Sequence, residues 1–202
     1  MMPNRDTLAE RYAIALLRTM DAAGLRYHNM RHSLDVRKYS LRLCDKMGIG
    51  GRRRRLMQIA ALYHDLGYIV QYRENEPYGT RIAETSLGRL SFPASEVAFV
   101  KRMIMATRMP QRPKDIYERI ICDADLSNLG QRSFWRLSRS LREELGIKSD
   151  SEWIASQISF LSGHAYHTAT ARKELEPIKQ QHLRILKDMA SGRRRASVAG
   201  LY

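Results

Sequence analysis

Hydrophobic residues recur with helical spacing along nearly the whole chain. Leu56, Ile59, Ala60 and Tyr63 occupy positions i, i+3, i+4 and i+7, which places them on one face of a helix. Residues 117–124 repeat this spacing. No segment alternates as a strand does, and no hairpin turn separates apolar runs. The pattern predicts an all-α fold, a single-domain helical bundle.

Further helices are predicted for six segments: 7–20, 29–47, 80–90, 132–145, 150–161 and 168–189. Gly51 and Gly67 bracket the helix that carries the apolar face described above. Pro177 is expected to kink or split the last helix, because proline cannot donate a backbone hydrogen bond. No linker is long enough to separate domains. We therefore expect one domain over residues 1–190 and a basic flexible tail at 191–202.

The composition is that of a globular protein, with 44% hydrophobic residues in a chain of 202. No apolar run approaches the roughly 20 residues of a membrane span, so no membrane association is expected. The first residues also lack the apolar stretch of a secretory signal. Cys44 and Cys122 are isolated, which is typical of reduced thiols and favours a cytoplasmic protein.

The net charge of +14 arises from 35 basic and 21 acidic residues. Positive proteins attract phosphates and nucleic acid, so nucleic acid is an alternative partner to a small phosphorylated substrate. Two arginine clusters, at 52–55 and 193–195, hold seven of the basic residues. Two interpretations stay open for both clusters: a binding role, or a solvated helix start and a disordered tail.

His64 and Asp65 are adjacent at the end of the predicted helix that Gly67 terminates. Two buried polar groups need partners, because unpaired burial costs about 1–3 kcal/mol per group. Imidazole and carboxylate together suit a divalent metal ion that activates water. Neighbouring side chains can reach one ion only where the backbone bends or a helix ends.

Other candidate ligands are His32 and the aspartates at 123 and 125. Asn29 has the character of an N-cap, which places His28 outside the helix and His32 in its first turn. His32 is therefore the ligand candidate, and His28 is expected to be structural. Helical phase places Asp123 and Asp125 on opposite flanks of their helix, so spacing does not choose between them.

Four motifs together resemble the HD-domain metal-dependent phosphohydrolase superfamily, and in particular a small bacterial branch of predicted HD phosphohydrolases. They are Tyr-His-Asn-x-x-His at 27–32, Tyr-His-Asp at 63–65, Cys-Asp-Ala-Asp-Leu-Ser-Asn-Leu-Gly at 122–130, and the segment 160–168 that contains Tyr-His-Thr. The resemblance implies a helical bundle that binds one ion through His32, His64, Asp65 and a late aspartate. In similar proteins the last ligand precedes Leu-Ser, as Asp125 does here.

The chain departs from the superfamily's binuclear members, which carry extra histidines between the His-Asp pair and the last aspartate. No histidine occurs from Asp65 to Gly163. In the branch a histidine follows the segment that matches 105–109, whereas here Pro110 and Gln111 follow it. One divalent ion is therefore expected. Manganese, iron, cobalt, nickel or magnesium suits two histidines and two carboxylates, and zinc usually prefers fewer ligands.

The expected function is that of a metal-dependent phosphohydrolase that cleaves a phosphate ester of a nucleotide or another small molecule. Glu76 matches the branch's Asn-Glu and is the candidate acid or base, and a cap for the helix at 80–90 is its competing interpretation. Asp65 is the other candidate catalytic residue. Arg108 and Arg31 are the candidates for binding the substrate phosphate. The alternatives are a basic nucleic-acid-binding protein and an inactive metal-binding scaffold.

Overall fold

The structure is a computed structural model that describes residues 3–193. Those residues form nine α-helices and no strand: α1 (Arg5–Ala22), α2 (Met30–Lys46), α3 (Gly51–Tyr63), α4 (Glu76–Arg89), α5 (Ala94–Ala106), α6 (Ile116–Asp125), α7 (Phe134–Leu145), α8 (Asp150–Gly163) and α9 (Ala169–Ala190). Two short 3₁₀ helices follow α3 and α6, at Leu66–Ile69 and Ser127–Gly130. The predicted all-α class is confirmed. Most of the predicted tail at 191–202 lies outside the described residues.

Two helices differ from their predictions at proline residues. α4 begins at Glu76, four residues before the predicted start at residue 80, with Pro77 in its first turn. Proline is tolerated there because the first backbone N–H groups of a helix have no intrahelical acceptor. α9 runs through Pro177 as one helix, so the split is wrong, and the alternative of a kink stays a prediction. A buried face along α9 holds both halves of the helix in place despite the missing hydrogen bond.

The described residues divide at the Asp125–Leu126 bond into two compact units. A single domain over residues 1–190 therefore stays a prediction. In the first unit α3 lies at the centre and packs against α1, α2, α5 and α6. Its buried residues occupy every side of the helix, which is typical of a helix enclosed by others. The His-Asp pair follows this helix directly and so begins at the core.

Gly67 allows the chain to pass close to itself between α3 and α4. A Cβ atom at Gly67 would lie 1.9 Å from the carbonyl oxygen of Asn75 and 2.9 Å from the backbone nitrogen of Gly79. Only glycine fits such an approach. The contact fixes the start of α4, and with it Glu76, beside the end of α3.

The arginine cluster at the start of α3 bonds to acidic and aromatic side chains of the same unit. Arg52 forms ion pairs with Asp6 and Glu96, and Arg54 pairs with Asp45 at 2.6 Å. The other two members also have partners in this unit: Arg53 lies over the rings of Phe99 and Tyr117, and Arg55 lies 3.6 Å from Asp6. The cluster's charges are therefore largely matched within the fold.

The second unit consists of α7, α8 and α9 with the 3₁₀ helix that precedes them. Its core is apolar and consists of Leu126, Leu129, Phe134, Ile154, Leu161, Leu183, Leu186 and Met189. Gly130 lies against α9, where a Cβ atom would be 2.4 Å from the carbonyl oxygen of Leu175. Nowhere in residues 3–193 is a helix both long and apolar enough to cross a membrane.

Candidate metal centre

His64 and Asp65 lie where α3 ends. His64 is the C-cap residue and is completely buried, with φ −57° and ψ −38°. Asp65 leaves the helical conformation, with φ −101° and ψ 2°, before the 3₁₀ helix begins. This change of backbone direction brings both side chains to one point, as expected for an adjacent pair that shares a site.

His32 projects from the first turn of α2. The Asn29 side chain is the N-cap and accepts a hydrogen bond from the His32 backbone N–H at 3.1 Å. The predicted capping role of Asn29 is confirmed, and His28 lies outside the helix. His28 stacks on Tyr68, with ring centroids 4.1 Å apart, and its Nε2 lies 3.0 Å from the Tyr68 hydroxyl.

Asp125, rather than Asp123, lies with the two histidines. Asp125 is the last residue of α6, so its side chain extends from a helix end. Asp123 is completely buried two residues earlier and does not belong to the group of ligand-type atoms that His32, His64 and Asp125 form. The structure thus brings Asp125, and not Asp123, beside the two candidate histidine ligands.

His32, His64 and Asp125 offer ligand-type atoms that all lie within 4.8 Å of one another, and Asp65 lies beside the two histidines. Nε2 of His64 lies 3.3 Å from Nε2 of His32, 3.1 Å from Oδ2 of Asp65 and 3.5 Å from Oδ1 of Asp125. Nε2 of His32 lies 3.4 Å from Oδ2 of Asp65 and 3.3 Å from Oδ1 of Asp125. Metal–ligand bonds of about 2.0–2.2 Å place neighbouring ligand atoms about 2.8–3.1 Å apart in octahedral coordination and about 3.3–3.6 Å apart in tetrahedral coordination. The five distances match this spacing.

The hydrogen bonds around the cluster leave lone pairs pointing at its centre. His64 Nδ1 donates to the carbonyl oxygen of Ala61 at 2.9 Å, because a carbonyl can only accept. In the neutral imidazole Nε2 is then the atom with the free lone pair. Oδ2 of Asp65 is buried and has no hydrogen-bond partner. A cation at the centre would satisfy these atoms together.

The pKa values of Asp125 and His64 also indicate a site that favours positive charge. Burial alone would raise the pKa of Asp125, but its contacts with His32 and His64 outweigh burial and hold that pKa well below its usual range. Burial opposes protonation of His64, yet the charges of Asp65 and Asp125 raise its pKa well above the ordinary value. A metal ion can supply the positive charge that these groups stabilise.

Glu76 and Arg108 are electrostatically coupled to the cluster. Oε2 of Glu76 is buried and lacks a hydrogen-bond partner. Burial raises the pKa of Glu76, the charges of Asp65 and Asp125 raise it further, and Arg108 lowers it. Arg108 forms an ion pair with Glu74 at 2.6 Å. Glu76 is also the first residue of α4, where a negative charge suits the helix dipole, so both interpretations of this residue agree with its position.

Arg31 is not brought into the cluster. Its side chain is 72% exposed and pairs with Asp35, one turn along α2, at 3.1 Å. The helix that turns His32 inward directs the preceding residue outward. A substrate-binding role for Arg31 stays a prediction that the local geometry does not support.

Gln111 is a contributor to the site that the sequence did not indicate. Its Nε2 donates to Oδ2 of Asp125 at 3.1 Å, which leaves Oδ1 to face the histidines. Such hydrogen bonds orient metal ligands. The only sequence signal was that Pro110 and Gln111 stand where the resembling branch has histidine.

Residues 29–127 match the family model described as HD domain. The match covers about half of the chain and contains all four residues of the cluster. The chain belongs to the HD-domain metal-dependent phosphohydrolase superfamily. Membership of the smaller bacterial branch stays a prediction. No curated protein and no solved structure matches the chain significantly.

Proposed function

We propose that this protein is a mononuclear metal-dependent phosphohydrolase with His32, His64, Asp65 and Asp125 as ligands. The observation that carries the proposal is that ligand-type atoms of His32, His64 and Asp125, from three helix ends, lie 3.3–3.5 Å apart, with Asp65 3.1–3.4 Å from both histidines. Family membership supports the hydrolase chemistry. The substrate class is a phosphate ester of a nucleotide or another small molecule.

A bound divalent ion would lower the pKa of a coordinated water and polarise a phosphoryl oxygen. The protein's part is to hold two neutral imidazoles and two carboxylates in fixed positions. Two hydrogen bonds position the ligands. The carbonyl oxygen of Ala61 fixes the tautomer of His64, and the side chain of Gln111 fixes the orientation of Asp125. Manganese, iron, cobalt, nickel and magnesium all suit this ligand set, and zinc is also compatible.

Glu76 is the proposed proton-transfer residue. Its carboxyl has a raised pKa because it is partly buried and lies near Asp65, and one oxygen has no partner. A carboxyl in this state exchanges protons nearer to neutral pH than an exposed one does. Asp65 acts on the reaction through the ion that it helps to hold.

Arg108 is the proposed phosphate-binding residue. Its guanidinium is close enough to Glu76 to influence that carboxyl's pKa. Its present partner, Glu74, is 72% exposed, and such solvated ion pairs are weak. A substrate phosphate, with more charge and more acceptor oxygens, can therefore replace Glu74.

The alternative of a nucleic-acid-binding protein has less support. In the first arginine cluster, Arg52 and Arg54 form ion pairs within their own unit. The second cluster, at 193–195, lies largely outside the described residues. We therefore retain the phosphohydrolase as the single proposed function.

The test is hydrolysis by the full-length protein, loaded in turn with each candidate metal. The substrates would be p-nitrophenyl phosphate, bis(p-nitrophenyl) phosphate and the nucleoside monophosphates. We expect metal-dependent release of product that His64→Ala abolishes. Absence of hydrolysis with every metal and substrate would contradict the proposal and favour an inactive metal-binding scaffold.

The role of Glu76 is tested by the pH dependence of kcat for Glu76→Gln. We expect the variant to lose one limb of the pH profile. Glu84→Gln is the matched control, because Glu84 is an exposed glutamate on the same helix and pairs only with Lys101 at the surface. An unchanged profile in Glu76→Gln would remove Glu76 from proton transfer.

A further inference from the structure

An open groove of about 640 Å³ lies along the segment between α5 and α6. Arg108, Arg112 and Lys114 contribute basic side chains to it, and Met105 and Met109 contribute apolar ones. The methionines are 37% and 53% exposed, respectively. The groove has the volume of a small-molecule site, about 300–1,000 Å³.

Two of the groove's cations are free to bind a ligand. Arg102, at one side, is neutralised by Asp115 and by the buried Glu118, both at 2.6 Å. Arg112 and Lys114 are exposed, and within residues 3–193 their side chains form no ion pair. Arg112 and Lys114 thus give the groove a local excess of positive charge that acidic side chains of the described residues do not neutralise.

The segment that lines the groove also contains Gln111, which contacts a candidate metal ligand. Gln111, which donates to Asp125, directly precedes Arg112. Arg108, which lines the groove, is also coupled to Glu76. A ligand that contacts both the metal centre and the groove would therefore pass along this segment, beside Gln111.

The groove's chemistry specifies what such a ligand carries. A guanidinium and an ammonium together match the charge and acceptor oxygens of a phosphate group. Methionine side chains adapt to apolar or aromatic surface of varied shape. A molecule with two phosphates and an apolar or aromatic part between them satisfies both features.

We propose that Arg112 and Lys114 form a second phosphate site, so that the preferred substrate carries one phosphate beyond the scissile one. This inference rests on the proposed function, since it places the scissile phosphate at the metal centre. The second phosphate belongs either to a bisphosphorylated small molecule or to a short oligonucleotide.

The test uses the full-length, metal-loaded protein and ligands that cannot be hydrolysed. Straight-chain alkylene bisphosphonates of increasing length are compared with butylphosphonate by isothermal titration calorimetry. We expect at least one bisphosphonate to bind roughly tenfold more tightly than butylphosphonate, because two charge-assisted contacts are added. The double variant Arg112→Ala/Lys114→Ala should lose this advantage.

Arg119→Ala is the matched control, because Arg119 is an exposed arginine of α6 that does not line the groove. It should retain the tighter binding. Equal binding of both ligand types by the unmodified protein at every chain length would overturn the proposal. Retention of the advantage by the double variant would overturn it as well.

Hydrolysis assays then distinguish the two sources of the second phosphate and separate this inference from the proposed function. Faster turnover of thymidine 3′,5′-bisphosphate than of a 5′-phosphorylated dinucleotide assigns a small molecule, and the reverse assigns an oligonucleotide. Turnover of both no better than that of thymidine 5′-monophosphate would overturn the second site. If bisphosphonates bind as expected but no ester is hydrolysed, the proposed function fails while the second phosphate site stands.

Discussion

His64 and His182 are buried histidines in different units, and each donates from Nδ1 to a backbone carbonyl oxygen at 2.9 Å. The remaining nitrogen of His64 faces Asp65 and Asp125, whose charges outweigh burial and raise its pKa. The ring of His182 instead stacks on Phe134, with centroids 4.5 Å apart, and burial lowers its pKa.

The comparison shows that burial and one good hydrogen bond do not make a histidine functional. Both residues satisfy Nδ1 in the same way, and both are at most 6% exposed. Only His64 has a second nitrogen surrounded by other ligand-type atoms. A buried histidine stacked on an aromatic ring stabilises a core, whereas one that faces two carboxylates provides a site for a cation.

The largest expected effect is the loss of metal in His64→Ala. We expect its metal affinity to fall more than about 100-fold, because even residues that only support a ligand cost 10–100-fold when replaced. His182→Ala should keep its metal, since it removes a histidine of equal burial from the other unit. Metal content after dialysis, measured by plasma mass spectrometry, checks both variants, with circular dichroism to confirm folding. Equal metal loss in the two variants would contradict the assignment of His64, and not His182, to the metal centre.

Gly67 in the first unit and Gly130 in the second each lie against backbone atoms of another segment, so the two units can also be compared by their stability. Gly67→Ala and Gly130→Ala should each lower the free energy of unfolding by about 1–3 kcal/mol, because each added Cβ would collide with backbone. Only Gly67→Ala should also weaken metal binding, since it displaces the segment between the His-Asp pair and Glu76. Urea denaturation and metal titration measure the two effects.

Gly88→Ala is the control for both glycine variants. Gly88 lies inside α4, and apart from the adjacent residues and the backbone of that helix no atom of the described residues lies within 4 Å of a Cβ placed there. Alanine there should stabilise the helix by about 0.5–1 kcal/mol. Metal binding that stays unchanged in Gly67→Ala would show that this contact does not position the site.

Gln111→Ala is expected to have a smaller effect on the metal centre. Loss of the hydrogen bond to Asp125 should weaken metal binding about tenfold without unfolding the protein. Gln58→Ala is the control, because Gln58 bonds to Glu10 in the same unit. If both variants bind metal with equal affinity, Gln111 does not orient Asp125.

The smallest effect concerns the pH dependence of stability in the second unit. Because the pKa of His182 is lowered in the folded state, the unfolded chain binds the proton first. The stability that neutral His182 contributes is therefore complete above the unfolded pKa of about 6.5 and is lost as pH falls towards the folded pKa. His182→Asn should show a weaker loss of stability over this range.

Tryptophan fluorescence during urea denaturation measures this effect selectively. The chain's two tryptophans, Trp135 and Trp153, both belong to the second unit. The quantity to compare is the change in free energy of unfolding between pH 7.5 and pH 5.5. Equal changes in the protein and in His182→Asn would show that His182 does not titrate with unfolding.

Local patterns in the sequence predicted the helices and the positions of the histidines. The N-cap Asn29 placed His32 in the first turn of α2 and excluded His28 from the helix, as observed. The start of α4 was missed because the residues after Asn75 have the composition of a turn, although Pro77 also fits a helix start. The continuation of α9 through Pro177 was not predicted, because the packing that holds the helix together depends on contacts that local sequence does not show.

Features that depend on distant contacts could not be read from the sequence. Helical phase did not show which of Asp123 and Asp125 lies with the two histidines. Asp125 does so because α6 ends at this residue, close to the start of α2 and the end of α3. The partners of Arg52, which are Asp6 and Glu96, lie 46 and 44 residues away. Gln111 carries no periodic signal because it lies in a loop.

The most direct test of the metal centre is the number of divalent ions that each chain binds. Equilibrium titration of the demetallated, full-length protein with Mn²⁺, followed by electron paramagnetic resonance, measures this number. The four proposed ligands predict one tightly bound ion per chain in the unmodified protein and none in His64→Ala. Two tight ions, or none, in the unmodified protein would contradict the account.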